Sequence, residues 1–404
     1  MGKIKRWISA AISLVMVFTF TVAPVSAAEN TASSGVITEY HSEISSYGYS
    51  NIMLTENAAQ ARDALASAML AGEEYVDVSA YDLTVPQLKT LFNIVIPSDY
   101  PQAMETDTYT YAMNRVTERV MYVRFTYDGT QEEILAHGRM VDEIVNALVA
   151  RIDMTMSDLQ KVKLVHDYLV QTVAYDEEAL NEETSSRISF SPYGALVEGK
   201  AVCQGYALAF QLFMNRLNIN SIFVSSEAMN HAWNMVQIDG EWYHVDATWD
   251  DPVPDVPGRI YYNAFMVSDA RIRDAENRHY RWDTTAPLAS NRQYDSFDWS
   301  VMETSFEDDI SELKLDTQTV SGTAGSQYQF IASMNSQSIV QTVVSSNPEV
   351  ATVTLTNAND PRGWLYTVNL VLPGEATILV TTPQGGLQMI DIQVQEAAAL
   401  ANAA

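Results

Sequence analysis

The chain has 404 residues, of which 47% are hydrophobic, and a formal net charge of −28 at pH 7. This acidic excess excludes nucleic acid and anionic membrane surfaces as partners, because both would repel the protein. The single cysteine excludes an intramolecular disulfide and a cysteine-based zinc site. The length and the apolar content predict two or three domains, each stabilised by an ordinary hydrophobic core.

Residues 1–28 are predicted to be a secretory signal peptide. A charged region with Lys3, Lys5 and Arg6 precedes an apolar stretch, and small residues suited to cleavage follow it. A retained membrane anchor is the alternative, but the apolar stretch is short for a span and no second such stretch follows. We therefore predict a secreted, extracellular or surface-associated protein with no transmembrane segment after cleavage.

Residues 29–150 are predicted to form a small module of mixed helices and strands with no chemical motif. Thr55 is placed to cap a helix, and alternating apolar residues over 121–127 predict a half-buried strand. Thr130 and Glu133 then form a capping box before an amphipathic helix. We interpret this module as a scaffold or specificity domain.

Residues 151–300 are predicted to form a second domain in which helices are followed by a hairpin. Ser157 and Gln160 form a capping box before an amphipathic helix. After a polar, acidic loop, a glycine-bounded segment starts another helix near Cys203. The Asp-Gly pair at 239–240, between two alternating apolar stretches, is a strong signal for a hairpin turn. The predicted strands are 222–225, 233–238 and 241–246.

The C-terminal part changes to short strands rich in threonine and valine, separated by turn residues. Strands of this length and spacing predict a β-sandwich over residues 309–395. The residues before it, from about 283, are interpreted as a connector. Residues 396–404 form a low-complexity alanine tail with no predicted role.

Cys203, His231 and Asp246 follow one another in the order of a cysteine acyl-transfer triad. A cysteine at a helix start lies near the positive end of the helix dipole, which favours the thiolate, and pairing with His231 favours it further. His231 can return a proton to a leaving amine, while Asp246 holds the imidazole in the required tautomer. The backbone N–H of Cys203 is the first candidate for an oxyanion donor.

Each of these residues also has a purely structural explanation. Cys203 precedes a largely apolar helix and can pack in the core, His231 can be a surface loop residue, and Asp246 can simply end a strand. His244 shares a strand face with Asp246 and is interpreted as a partly buried structural histidine. His166 lies on the apolar side of its helix and is interpreted as a core residue.

The acidic group formed by Asp246, Asp250, Asp251 and Asp255 raises the question of a calcium site. Its spacing lacks the loop glycine and the ligand positions of an EF-hand. We therefore interpret Asp250, Asp251 and Asp255 as a solvated acidic loop. Neither a metal ion nor another cofactor is predicted.

Three segments resemble the signature blocks of the transglutaminase-like superfamily, in its bacterial secreted branch. They are residues 201–207 (AVCQGYA), 231–236 (HAWNMV) and 242–252 (WYHVDATWDDP), and the helical region 164–176 is also similar. The resemblance covers roughly residues 155–270. It implies catalytic roles for Cys203, His231 and Asp246.

The resemblance implies an α+β fold with a papain-like transglutaminase core, preceded by the small mixed α/β module and followed by the sandwich. It implies a cysteine acyltransferase, or an amide or peptide hydrolase, that forms a thioester on Cys203. The substrate would be a protein or peptide, attacked at a glutamine side chain or a peptide amide. The alternative is a non-catalytic cell-surface or wall-binding protein with a degenerate core. Tyr175, Tyr193 and Gln204 stay open as the second oxyanion donor.

Aromatic residues near the triad leave transfer and hydrolysis equally open. They can line a tunnel that admits an amine and excludes water, as transfer requires, or they can pack in the core. They are Trp233, Trp242, Tyr243 and Trp249.

Residues 346–353 and 373–380 resemble bacterial immunoglobulin-like domains of the group 2 type. The resemblance implies a spacer or adhesion module. Such a module would position the catalytic part near a cell wall or a surface partner.

Overall fold

The computed structural model of the chain describes residues 37–43, 54–180, 187–251, 253–256, 258–282, 286–340 and 342–396. The predicted signal peptide and the alanine tail after residue 396 lie outside these ranges. Within the described ranges, no helix combines the length and the apolar character that crossing a bilayer requires.

The N-terminal part contains a four-stranded antiparallel sheet in the order β1-β3-β4-β2. Thr55 and Thr130 accept backbone hydrogen bonds at the starts of α1 and α4, and the capping box with Glu133 is present, so both predicted helix starts are confirmed. The elements are β1 (Ile37–Glu43), α1 (Glu56–Leu70), β2 (Tyr75–Asp77), α2 (Val85–Thr90), α3 (Ile96–Asp99), β3 (Thr106–Asn114), β4 (Arg119–Tyr127) and α4 (Gln131–Val149).

The central part places helices against a second antiparallel sheet, ordered β10-β9-β8-β7. The capping box at Ser157, the helix that begins at Cys203 and the Asp-Gly hairpin turn are confirmed. The elements are α5 (Asp158–Thr172), β5 (Ala174–Tyr175), α6 (Pro192–Leu196), β6 (Lys200–Ala201), α7 (Cys203–Arg216), β7 (Ser221–Ser226), β8 (His231–Ile238), β9 (Glu241–Val245), α8 (Ala247–Asp250), β10 (Phe265–Val267) and α9 (Asp269–Ile272).

Helix α7 is buried along most of its length and contributes to two hydrophobic cores. Phe210 and Phe213 pack in a core that also contains residues of α4 and α5. Ala207 and Leu208 pack in a second core with the N-terminal sheet and helices. Because apolar contacts hold α7 on both sides, the residue at its start has a fixed place relative to the central sheet.

Close backbone packing also fixes the first turn of α7. A Cβ added at Gly205 would lie 2.7 Å from the carbonyl oxygen of Ser189 and 3.0 Å from that of Ser191. Backbone atoms at these distances cannot move aside as the end of a flexible side chain can. Only glycine therefore lets the helix start pack this closely.

We expect Gly205→Ala to reduce the free energy of unfolding by about 1–3 kcal/mol, since the added methyl group overpacks this contact. Gly138→Ala is the matched control, because Gly138 lies inside α4 with nothing within 4 Å of an added Cβ. The free energy of unfolding of this control is expected to be unchanged or to increase by roughly 0.5–1 kcal/mol. Urea denaturation of both variants measures the difference. Equal stability of the Gly205→Ala protein and the wild type would contradict the packing argument.

The C-terminal part consists of strands arranged in two four-stranded sheets, ordered β11-β13-β16-β15 and β12-β18-β17-β14. Phe330 and Val368 of the first sheet share a core with Ile378 and Ile390 of the second. The predicted β-rich region is thus confirmed, and its immunoglobulin-like character stays a prediction. The strands are β11 (Lys314–Leu315), β12 (Thr319–Thr323), β13 (Gln327–Ser333), β14 (Thr342–Ser345), β15 (Ala351–Asp360), β16 (Gly363–Leu370), β17 (Gly374–Thr381) and β18 (Leu387–Gln395).

Candidate active site

Cys203 is the first residue of α7 and is partly exposed to solvent. Val202, which precedes it, provides no side-chain cap for the helix. The sulfur therefore lies at the positive end of the helix dipole, with no capping side chain beside it. The structure thus provides both the exposure and the electrostatic setting that a nucleophilic cysteine needs.

His231 is the first residue of β8 and lies between the cysteine and a buried carboxylate. Its Nε2 is 2.6 Å from Oδ2 of Asp246, and its ring is also hydrogen-bonded to Cys203. Burial lowers the pKa of His231, but the charge of Asp246 and these hydrogen bonds outweigh it and raise the pKa to about 10. The imidazole is therefore held in its protonated form at neutral pH.

Asp246 follows β9 and caps the N-terminus of α8, which fixes its carboxylate. Oδ1 accepts a hydrogen bond from the backbone N–H of Trp249 at 3.0 Å, and the residue is 1% exposed. Burial by itself would raise the pKa of Asp246. The adjacent His231 and His279 instead hold that pKa far below its ordinary value.

The structure therefore brings together the three residues that the sequence singles out. Cys203, His231 and Asp246 come from the start of α7, the start of β8 and the end of β9. Strands β8 and β9 are neighbours in the antiparallel sheet, and α7 packs on β8. This arrangement can pass a proton between sulfur and imidazole while the carboxylate orients the ring.

His279 is a site residue that the sequence reasoning missed. Its Nε2 lies 2.7 Å from Oδ2 of Asp246, the same oxygen that contacts His231. Its Nδ1 lies 2.9 Å from the backbone carbonyl oxygen of Asn277. His279 lies in an irregular segment after α9, outside any recognisable motif, so no local pattern pointed to it.

His231, Asp246 and His279 also form the group that could hold a metal ion among the described residues. The two nitrogens lie 2.6 Å and 2.7 Å from the shared carboxylate oxygen. Ligands of a tetrahedral zinc ion, each about 2.0–2.1 Å from the metal, are roughly 3.3 Å apart. The distances therefore match charge-assisted hydrogen bonds better than a metal centre.

The expectation that Asp250 and Asp251 belong to a solvated acidic loop is wrong. Asp250 is completely buried and accepts hydrogen bonds from the backbone N–H groups of Asn263 and Ala264. It also lies 3.3 Å from Nε2 of His166, which is itself fully buried. Charged partners and backbone donors compensate for the lost solvent, which the spacing of acidic residues cannot reveal.

Asp251 is 5% exposed and contacts the hydroxyl group of Tyr206 on α7. That hydroxyl group also lies 2.8 Å from the backbone carbonyl oxygen of Val173. Burial raises the pKa of Asp251 to about 6. Asp255, by contrast, is exposed, so the prediction of a solvated residue fits this position alone among the three.

The three candidates for a second oxyanion donor lie in different surroundings. Tyr175 is half-buried, and burial together with the charges of Cys203 and Asp246 raises its pKa, so its hydroxyl group keeps its proton. Tyr193 stacks on His137 with 3.8 Å between the ring centroids, and its hydroxyl group is hydrogen-bonded to Ser346 and Glu198. Gln204 is the second residue of α7.

The aromatic residues near the triad are mostly core residues. Trp233 and Tyr243 are each 1% exposed and Trp242 is 9% exposed. Trp249 is partly buried, with its ring 5.9 Å from that of His231. Of these four residues, only Trp249 is therefore both partly exposed and next to His231.

His244 belongs to the same sheet but not to the hydrogen-bonded chain of the triad. The indole N–H of Trp233 donates to its Nδ1 at 3.0 Å, and its Nε2 donates to Asp269 at 2.8 Å. Burial lowers its pKa. His244 is thus a neutral, fully buried structural histidine.

Residues 146–247 match the family model described as the transglutaminase-like superfamily, so the central part of this chain contains a transglutaminase-like domain. The matched segment contains Cys203, His231 and Asp246.

Kyphoscoliosis peptidase of Mus musculus is 28% identical over 160 residues, which are 35% of this chain and 24% of the mouse protein. Kyphoscoliosis peptidase of Homo sapiens is 26% identical over 176 residues, 39% of this chain and 26% of the human protein. The chain thus spans about a quarter of the length of these relatives. A solved structure described as a TGase is 19% identical, with a TM-score of 0.25, over 32% of this chain and 41% of that one.

Proposed function

We propose that this protein is a cysteine acyltransferase or hydrolase that acts on an amide through a thioester on Cys203. The hydrogen-bonded chain from Cys203 through His231 to Asp246, with the sulfur at an uncapped helix start, is the observation that carries the proposal. A cysteine that only packs in the core has no need of solvent exposure or of a hydrogen bond to a histidine, and Cys203 has both.

The reaction begins when the thiolate of Cys203 attacks the carbonyl carbon of a glutamine side chain or a peptide bond. A carbon–sulfur bond forms, and the carbonyl oxygen takes up the negative charge. The backbone N–H of Cys203 and the hydroxyl group of Tyr175 are the proposed donors to this oxygen. The imidazolium of His231 then gives its proton to the leaving nitrogen, the carbon–nitrogen bond breaks, and a thioester remains.

The second half of the reaction releases the acyl group. A water molecule or an amine attacks the thioester while His231 accepts its proton, and the carbon–sulfur bond breaks. Water gives an acid, and an amine gives a new amide. The relatives that are named peptidases favour water as the acceptor.

Secretion and surface attachment form the second part of the proposal. The charged and apolar pattern of residues 1–28 supports export, and the group 2 immunoglobulin-like pattern supports a C-terminal spacer or adhesion module. The strands of the C-terminal part, arranged in two sheets around a common core, are compatible with this module. The partner would then be a cell wall or a surface protein.

Incubation of the protein with a glutamine-rich protein and a labelled primary amine tests the reaction. New peptide ends or released ammonia without label indicate hydrolysis, and incorporated label indicates transfer. Either result must disappear in Cys203→Ala. No product from a set of unstructured peptides and proteins, with the fold intact by circular dichroism, would favour the non-catalytic surface protein.

A further inference from the structure

The carboxylate of Asp246 is held by two histidines rather than one. Oδ2 lies 2.6 Å from Nε2 of His231 and 2.7 Å from Nε2 of His279, and Oδ1 accepts the backbone N–H of Trp249. Trp249 and His279 thus fix the carboxylate from two directions. The remaining direction of Oδ2 is the one that faces His231.

Both ring nitrogens of His279 face acceptors. Nδ1 lies 2.9 Å from the carbonyl oxygen of Asn277, which can only accept, and Nε2 faces the carboxylate of Asp246. A neutral imidazole carries one N–H and would leave one of these contacts as a repulsion between lone pairs. The doubly protonated imidazolium satisfies both.

The segment that carries His279 is itself held in place. The side-chain amide of Asn277 donates to the carbonyl oxygens of Asn263 and Arg271. The backbone N–H of His279 donates to the carbonyl oxygen of Ile272. His279 is 1% exposed. Its position is therefore determined by the fold and does not depend on substrate.

The groups packed against His279 define its electrostatic environment. Asp246 provides the negative charge, and the ring of His231 lies 5.3 Å away. The rings of Trp233 and Trp249 lie 4.9 Å and 4.5 Å from that of His279. The neutral His244 is hydrogen-bonded to the indole N–H of Trp233. Burial among aromatic rings makes the charge of His279 act strongly on its neighbours.

We infer that His279 is a positioning residue, a buried imidazolium that aims Asp246 at His231 and shares its negative charge. This inference rests on the proposed function. With His279 present, Asp246 stabilises the protonated form of His231 less than it would alone, and the net positive charge nearby favours the thiolate of Cys203. Both effects move the working pH range of the thiolate–imidazolium pair downward.

Alkylation of Cys203 by iodoacetamide as a function of pH tests this inference without a substrate. A thiolate–imidazolium pair gives a rate that rises at acidic pH and reaches a plateau, with a second change where His231 loses its proton. His279→Gln keeps a hydrogen-bond donor for Asp246 but removes the charge. We expect both transitions to move upward by about one pH unit in this variant.

His279→Ala removes the donor as well, and we expect the plateau rate to fall about 10-fold or more, with His279→Gln restoring it. His244→Gln is the matched control, because it changes a buried histidine of the same sheet that does not contact Asp246. It should leave both transitions in place. Thermal unfolding of each variant shows whether it is folded. If His279→Ala is misfolded, the pH profile of His279→Gln tests the inference.

Three results would overturn the inference. The first is a pH profile of His279→Gln that is identical to that of the wild type, although His231→Ala abolishes the plateau. This result would contradict the role of His279 and leave the proposed function intact. The second is a wild-type profile without a plateau, which would instead contradict the proposed function. The third is a change in the wild-type profile on removal of metal ions by EDTA, which would assign His231, Asp246 and His279 to a metal centre.

Discussion

Asp246→Asn is expected to lower the rate of thioester formation by about 10⁴-fold. An asparagine side chain has only one acceptor oxygen, so its NH2 group must face either the two histidines or the backbone N–H of Trp249, where the wild type has an acceptor in both places. His231 then loses the partner that holds its proton on Nε2 and directs the other ring nitrogen toward Cys203. Single-turnover kinetics with an activated amide or ester substrate measures the loss.

Asp269→Asn is the control for this effect. Asp269 also accepts a hydrogen bond from a buried histidine of the central sheet, His244, at 2.8 Å. Its substitution therefore disturbs a similar buried hydrogen bond without changing a residue that contacts the candidate triad. A loss of less than about 10-fold in Asp246→Asn, or an equal loss in the two variants, would contradict the role assigned to Asp246.

The buried His166 is expected to make the stability of the protein depend on pH. Its Nδ1 lies 3.0 Å from Asp167 and its Nε2 lies 3.3 Å from Asp250. Burial lowers the pKa of His166, but the hydrogen bonds and charges of the two carboxylates outweigh it and raise the pKa to about 9. The unfolded chain has the ordinary histidine pKa of about 6.5.

A group whose pKa is raised in the folded state stabilises the protein fully below its unfolded pKa. That contribution declines as the pH rises and is lost above the folded pKa. The stabilisation by His166 is therefore present at pH 6 and absent at pH 10. Its size is about 3 kcal/mol, since one pKa unit corresponds to about 1.4 kcal/mol.

His166→Gln isolates this contribution, because glutamine can hydrogen-bond but does not titrate in this range. Urea unfolding should show that the free energy of unfolding falls between pH 6 and pH 10 by about 3 kcal/mol more in the wild type than in the variant. The same variant also keeps His231, whose own titration contributes equally to both proteins. An identical pH dependence in the two proteins would show that His166 is not charged in the folded state.

Local chemistry made much of the fold predictable. The caps at Thr55, Thr130 and Ser157 each satisfy a backbone N–H within the first turn, so a segment of four residues suffices to define each helix start. The hairpin turn at 239–240 is equally local. The candidate triad residues could be singled out because the cysteine, the histidine and the aspartate each lie in a short segment with a recognisable composition.

The surroundings of the triad depend on contacts between distant segments. His279 meets Asp246 across 33 residues, and His166 meets Asp250 across 84. Neither contact leaves a periodicity or a spacing in the sequence. The burial of Asp250 and Asp251 could not be predicted for the same reason. An acidic stretch predicts a solvent-exposed loop, because the distant partners that compensate for burial are not evident from the sequence.

The rate of iodoacetamide alkylation of wild-type Cys203 between pH 4 and pH 10, compared with that of His231→Ala, tests the central claim most directly. A thiolate held by the helix start and by His231 predicts a high rate that already reaches a plateau below neutral pH, and the loss of that plateau in His231→Ala. A rate that rises only around pH 8.5, as for an ordinary thiol, and that is unchanged in His231→Ala would contradict it.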